Sequence, residues 1–178
     1  MSTIAVLIGS PRKGGNTDIL ANSFIDGAKK NHTIEVISVT NTKVSGCTGC
    51  NFCYADESHR CLQKDGMQEI YGKLALAEII VIATPVYFYG ISSQLKCIID
   101  RLHNPIRNTF KVKKLVLLSV AADKIPTVFD SVKIMYNSVL KYFSLEDGGI
   151  VTAFGVQNKG DINNSTALKE AYELGESM

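Results

Sequence analysis

A chain of 178 residues with 46% hydrophobic and 20% charged side chains has the composition of one globular unit and is long enough to bury a full core. A formal net charge of +2, spread over scattered lysines and arginines, excludes the strong basic field expected of a nucleic-acid or membrane-surface binder. No apolar run approaches the roughly 20 residues of a bilayer span, and no leader-like segment precedes the first strand; the expectation is a single cytoplasmic domain over residues 1–178.

Ile4-Ala5-Val6-Leu7-Ile8 is continuously apolar, the pattern of a strand covered on both faces. Leu20, Phe24 and Ala28 then stand at helical spacing between Thr17 and Lys30. The mixed stretch from Thr33 to Val39 suits an edge strand. After a cysteine-rich loop, Met67, Ile70, Leu74 and Ala77 predict a helix from about Gly66 to Ala77, with Asp65 as its N-cap and Gln68 three residues on. Ile79 to Ala83 is a buried strand, and Leu95, Ile98, Ile99 and Leu102 follow at i, i+3, i+4, i+7. Leu115 to Leu118 is a fourth strand, Val128, Val132, Met135, Val139 and Phe143 form a helical stripe, and Ile150 to Phe154 is a fifth strand. Leu168, Ala171 and Leu174 mark a last helix. Alternation of this kind predicts a parallel sheet with right-handed crossovers and helices on both faces. Ligands of such sheets bind beyond the carboxyl ends of the strands, so chemistry is expected in the loops after Ile8, Val39, Ala83 and Ala121.

The first of these, Gly9-Ser10-Pro11-Arg12-Lys13-Gly14-Gly15-Asn16-Thr17, joins a buried strand to a helix start, where unpaired N–H groups and the dipole favour an anion. It lacks the lysine of a Walker loop and the glycine spacing of a dinucleotide fingerprint. A cradle for one phosphate monoester remains, beside the plainer reading of a strand–helix turn capped by Asn16. The third loop, Thr84-Pro85-Val86-Tyr87-Phe88-Tyr89-Gly90, carries three consecutive aromatics that cannot all face a core. It either walls a pocket for a planar ligand or covers the core or a second subunit.

Cys47, Cys50, Cys53 and Cys61 follow C-x2-C-x2-C-x7-C, whose first three match the bacterial ferredoxin run. The loop fits a [4Fe–4S] cluster, packed free thiols or a reversible disulfide; zinc sites more often use two separated pairs. Cys97 reads as a small core residue. His32, His59 and His103 are isolated, with His59 expected in solvent, and Asp100-Arg101 is accounted for by a structural ion pair. No catalytic triad is legible.

Gly-Ser-Pro-Arg…Gly-Asn-Thr at 9–17, the cysteine loop, and Thr-Pro-Val-Tyr-Phe…Gln-Leu-Lys…Ile-Asp-Arg at 84–101 together resemble the NADPH-dependent FMN reductase and iron–sulfur flavoprotein branch of the flavodoxin-like superfamily. The resemblance implies a flavodoxin-like, doubly wound five-stranded parallel sheet in order 2-1-3-4-5. It implies that Ser10, Arg12, Asn16 and Thr17 hold the phosphate of FMN and that Pro85, Val86, Tyr87 and Phe88 lie against its ring. The expected activity is FMN-dependent oxidoreduction fed by NADPH or NADH, by a homodimer or homotetramer, onto a small-molecule acceptor or a redox protein. The alternative is an iron–sulfur flavoprotein electron carrier with [4Fe–4S] on the four cysteines. A plain flavodoxin carrier is disfavoured by the +2 charge. Phospho-transfer on the same architecture is disfavoured by Thr84 where an aspartate is needed and by a first loop without cysteine.

Overall fold

In the computed structural model, which describes residues 1–178, five strands form one sheet: β1 (Thr3–Ile8), β2 (Thr33–Ser38), β3 (Ile79–Pro85), β4 (Lys114–Val120) and β5 (Glu146–Ala153). All pairings are parallel and the order is β2-β1-β3-β4-β5, as expected. Six helices connect and follow them: α1 (Asn16–Ala28), α2 (Phe52–Ala55), α3 (Met67–Leu76), α4 (Ser93–Arg101), α5 (Asp130–Phe143) and α6 (Ala167–Glu176). None is long and apolar enough to cross a membrane.

Every residue of the central strand β3 is buried, which is why its run carries no polar alternation. Side chains alternate across the sheet and split the core in two. Ile4, Val6 and Ile8 join Leu20 and Phe24 of α1 and Ala171 of α6 on one face. Ala5 and Leu7 join Ile70 of α3, Ile98 of α4 and Val132 of α5 on the other. Ser92 caps α4 by accepting from the Leu95 N–H at 3.3 Å, and its hydroxyl donates to the Gly9 carbonyl at 2.5 Å, tying the first loop to the third.

Several local expectations are corrected. β5 begins at Glu146 rather than Ile150, because Gly148 and Gly149 make a bulge that slips the register between Leu115 and Leu117 of the partner strand. Val128 lies in a 3₁₀ turn (Pro126–Phe129) ahead of α5. Gly66, not Asp65, occupies the N-cap of α3, although Asp65 Oδ1 accepts from the Met67 N–H at 3.2 Å. Gln68 closes no capping box; it donates to the carbonyl of Gln63 at 3.2 Å. Asp100 and Arg101 do not pair with each other, since consecutive helix positions point apart. Asp100 bonds Lys96 one turn back, and Arg101 reaches Asp65 at 2.6 Å. Cys97 is half-buried rather than a core residue, and it lies close to Gly46.

Candidate functional site

At the carboxyl ends of the strands lies a cavity of about 330 Å³, within the range of small-molecule sites. Its walls are the loop from Ser10 to Thr17, Pro85-Val86-Tyr87 after β3, Ala121-Ala122 after β4, and the segment from Val156 to Lys159 after β5. Ser10 is buried and its Oγ accepts from the Arg12 N–H at 3.1 Å. Gly14 takes φ +65°, which lets the loop curl back before α1 begins. Gly15 stands at the N-cap and makes no side-chain cap bond. The Ile19 N–H donates to the Gly15 carbonyl at 3.0 Å; helix geometry gives the N–H groups of Asn16, Thr17 and Asp18 no intrahelical acceptor. An uncapped end of a 13-residue helix therefore opens on the cavity.

Asn16 is buried and turned to a structural task. Its Nδ2 donates to the carbonyls of Val156 at 3.3 Å and Asn158 at 2.8 Å, and its Oδ1 accepts from the Gly160 N–H at 3.0 Å. The side chain thus bolts the segment after β5 to the start of α1, and what Asn16 offers an anion is its backbone N–H. Arg12 is exposed at the mouth, donating to the Gln157 carbonyl at 3.4 Å; Lys159 donates to the Lys13 carbonyl at 3.4 Å from the facing side. Two cations thus flank a site with an open helix end, a donor set that suits a phosphate.

The opposite wall is apolar. Val86 is held by its N–H to the Val120 carbonyl at 2.8 Å. Tyr87 and Gly90 then exchange backbone bonds at 2.8 and 3.0 Å, closing a two-residue turn whose central residues, Phe88 and Tyr89, take φ +44° and +62°. That turn throws Phe88 outward: it is 99% exposed and lines no part of the cavity, contrary to expectation. Ser10, Arg12, Asn16, Thr17, Pro85, Val86 and Tyr87 do line it together. Sequence reasoning missed Gln157 and Lys159; the signal was the pair Gly155 and Gly160, both at positive φ, bracketing a loop at the active end of the sheet.

A second cavity, of about 80 Å³, lies between the cysteine loop and the end of α4 and shares no lining residue with the first. Cys47, Cys50, Cys53 and Cys61 all line it, all unlinked. No three of the chain's cysteine, histidine or acidic side chains are close enough to hold a single metal ion. A cubane is a different test, since each thiolate takes its own corner and the sulfurs stand wider apart. Four thiols around one cavity fit that donor set. The backbone N–H of Phe52 and the Thr48 side chain hold the Cys50 thiol below its ordinary pKa. Burial, then the nearby Cys61, push Cys53 up. The loop is closed at its neck: Asp65 Oδ2 accepts from the Ser45 N–H at 2.8 Å and from Arg101 Nη1 at 2.6 Å. His59 is half-buried rather than solvated, its Nδ1 3.0 Å from the Cys53 carbonyl. His103 sits 2.8 Å from the Tyr54 hydroxyl.

An all-parallel sheet with an anion cradle and an apolar wall at its switch point defines a flavodoxin-like cofactor protein. The family description "NADPH-dependent FMN reductase" matches residues 2–140, and the chain belongs to that family. It is accordingly an FMN-dependent NAD(P)H oxidoreductase. An iron–sulfur flavoprotein of Archaeoglobus fulgidus is 29% identical over 97% of this chain and 76% of its own length. Another from Methanocaldococcus jannaschii is 37% identical over 64% of this chain and 58% of its own length. Among solved structures, an NAD(P)H:quinone oxidoreductase from Methanothermobacter marburgensis superposes with a TM-score of 0.80 at 16% identity, covering 99% of this chain and 96% of that one; a likeness at that identity is one of fold.

Proposed function

We propose that the 330 Å³ cavity is the FMN site, with the phosphate on the open end of α1 and the ring along Pro85-Val86-Tyr87. The observation that carries this reading is the convergence of an uncapped helix start and an apolar strand-end wall on one cavity. Ser10 and Thr17 supply hydroxyl donors, the backbone of Asn16 and Thr17 supplies N–H groups, and Arg12 and Lys159 offset the phosphate charge. FMN held there would supply a hydride acceptor for NADPH or NADH and an electron donor for a small-molecule acceptor or a redox protein. The residues of the chain bind and orient. Pro85, Val86 and Tyr87 cover one side, so nicotinamide and acceptor use the other in turn, which gives ping-pong kinetics. The test is stopped-flow mixing of the FMN-loaded protein with NADPH and with NADH without oxygen. Bleaching within seconds is expected with at least one; failure of both rejects the reductase reading in favour of an electron carrier. We also assign the chain to a homodimer or homotetramer, for which the protruding Phe88 offers a contact and light scattering is the check.

A second reading is favoured by the four free thiols that line one small cavity: a [4Fe–4S] cluster on Cys47, Cys50, Cys53 and Cys61, as the names of the archaeal relatives suggest. Protein purified without oxygen should then contain iron and acid-labile sulfide. Serine at any of the four positions should remove them, whereas Cys97→Ser should not. Flavin absorption without iron in the wild type retires this reading and leaves the first intact.

A further inference from the structure

Buried polar groups are paired with few exceptions, and each exception calls for a cause. Three buried side-chain atoms of this protein have no hydrogen-bond partner: Arg101 Nε, Arg101 Nη2 and Asn104 Nδ2. Both residues line the cavity that the four cysteines line. Arg101 is only 2% exposed, so water does not stand in freely for a partner.

The geometry of both side chains is fixed by their other ends. Arg101 Nη1 donates to Asp65 Oδ2 at 2.6 Å and to the Ser45 carbonyl at 3.3 Å, which sets the guanidinium plane and leaves its Nε and Nη2 as the free donors. Asn104 Oδ1 accepts from the Ile106 N–H at 3.0 Å, so its Nδ2 is the free end of the amide. A buried cation with two unused donors, beside a third unused donor, faces a pocket of thiols. The chemistry that completes such a pocket is anionic and accepts hydrogen bonds. A cubane held by four thiolates is an anion in both redox states and gains a further negative charge on reduction. Hydrogen bonds to its sulfurs and nearby positive charge set its potential.

We propose that Arg101, assisted by Asn104, is the positioning residue of the cysteine pocket, donating from Nε and Nη2 to the sulfurs of the cluster and favouring its reduced state. The inference rests on the cluster reading above. It separates two roles within one side chain: Nη1 closes the neck of the loop, while Nε and Nη2 tune what the loop holds.

The test uses the holoprotein kept free of oxygen. Iron and sulfide analysis of the wild type comes first; absence of both rejects the cluster and this inference with it, whereas the outcomes below bear on Arg101 alone. Arg101→Lys retains a cation and a donor for Asp65 but lacks the two directed N–H groups. Its iron content should match the wild type, while the reduction equilibrium, read by EPR-monitored titration with dithionite, should shift about tenfold toward the oxidised form, about 59 mV for one electron. An iron-loaded variant with an unchanged midpoint overturns the proposal, because a purely structural neck clamp would not move it. A second measurement needs no change at Arg101. Pulsed EPR of the reduced protein with 15N-labelled arginine, in an Arg60→Gln background that removes the exposed arginine beside Cys61, should show nitrogen coupled to the cluster. Absence of that coupling overturns the proposal even if Arg101→Lys fails to fold.

Discussion

Gly27 and Gly175 face each other where α1 meets α6: a Cβ added at Gly27 would lie 2.1 Å from the Tyr172 carbonyl oxygen, and one at Gly175 would lie 2.1 Å from that of Phe24. The two backbones touch, and no side chain fits between them. This contact braces the helix whose other end opens on the 330 Å³ cavity. Alanine in a helix interior gains about 1 kcal/mol over glycine from propensity alone. Overpacking a closed contact costs about 1–3 kcal/mol or more. Steric cost is expected to win, so Gly175→Ala should unfold at lower denaturant than the wild type. A gain in stability would show that α6 can shift outward at little cost.

The neck of the cysteine loop gives a second expectation. Asp65→Asn keeps an acceptor for the Met67 N–H but leaves Arg101 without its counter-charge; losing one partner of a buried pair costs about 3–5 kcal/mol. The lower part of that range is expected, since Asp65 keeps 16% side-chain exposure. Burial alone would raise the Asp65 pKa, but the Ser45 N–H and Arg101 outweigh it and hold the carboxyl below its ordinary value. A depressed folded pKa stabilises fully above the unfolded value of about 3.9 and loses that contribution as pH falls toward the folded value. The stability gap between wild type and Asp65→Asn should therefore be constant from neutral pH to about 4 and shrink below it. Urea melts across that range are the check; a gap that persists in acid would assign the effect to packing.

The sheet was legible because its three central strands are uninterrupted apolar runs, and buried parallel strands need nothing else. The first half of β5 was not, since Glu146-Asp147-Gly148-Gly149 reads as a turn and only pairing with β4 makes it a strand. The cradle at Ser10–Thr17 carries local turn chemistry and could be read directly. For Lys159 the bracketing pair Gly155 and Gly160 marks only a loop; its place at the site depends on Asn16 bonding a segment more than a hundred residues away, a tie that no spacing rule encodes. Arg101 was hidden for the same reason, its partner Asp65 lying on another element. Phe88 was expected against the ring only through the family resemblance; the two-residue turn between Tyr87 and Gly90, which sends it outward, depends on backbone conformations that the aromatic run does not encode.

That turn is itself strained. Two-residue hairpins with both central residues at positive φ favour Asn-Gly, and bulky residues there cost about 1–3 kcal/mol each. Phe88 and Tyr89 occupy those positions at φ +44° and +62°. Phe88→Asn with Tyr89→Gly should raise the thermal midpoint. Phe88 and Tyr89 do not line the cavity but follow Tyr87, which does, and the expectation is that their exposed faces take up planar substrates. The same double variant should then bind FMN as before and show a higher KM for nicotinamide or acceptor. A more stable protein with unchanged KM would remove the rim aromatics from substrate binding.

The sharpest expectation separates Asn16 from its neighbour Thr17. Both line the cavity and both are buried, but their side chains do different things. Asn16→Ala removes the bonds to Val156, Asn158 and Gly160 and strands buried backbone groups, each worth about 1–3 kcal/mol when left unpaired. It should lower stability and loosen the wall that carries Lys159, so affinity should fall for FMN and for riboflavin alike. Thr17 is the second residue of α1, and in the proposed orientation its hydroxyl, beside N–H groups without intrahelical acceptors, would donate to the phosphate. A charge-assisted hydrogen bond is worth about 1.5–3 kcal/mol, so Thr17→Ala should weaken FMN at least about tenfold with the melting curve nearly unmoved. Riboflavin lacks the phosphate, and its affinity should not change. Fluorescence titration of the flavin-free protein with both ligands reads all four combinations. Equal losses for FMN and riboflavin in Thr17→Ala would place the phosphate elsewhere and sink the orientation proposed for the cofactor.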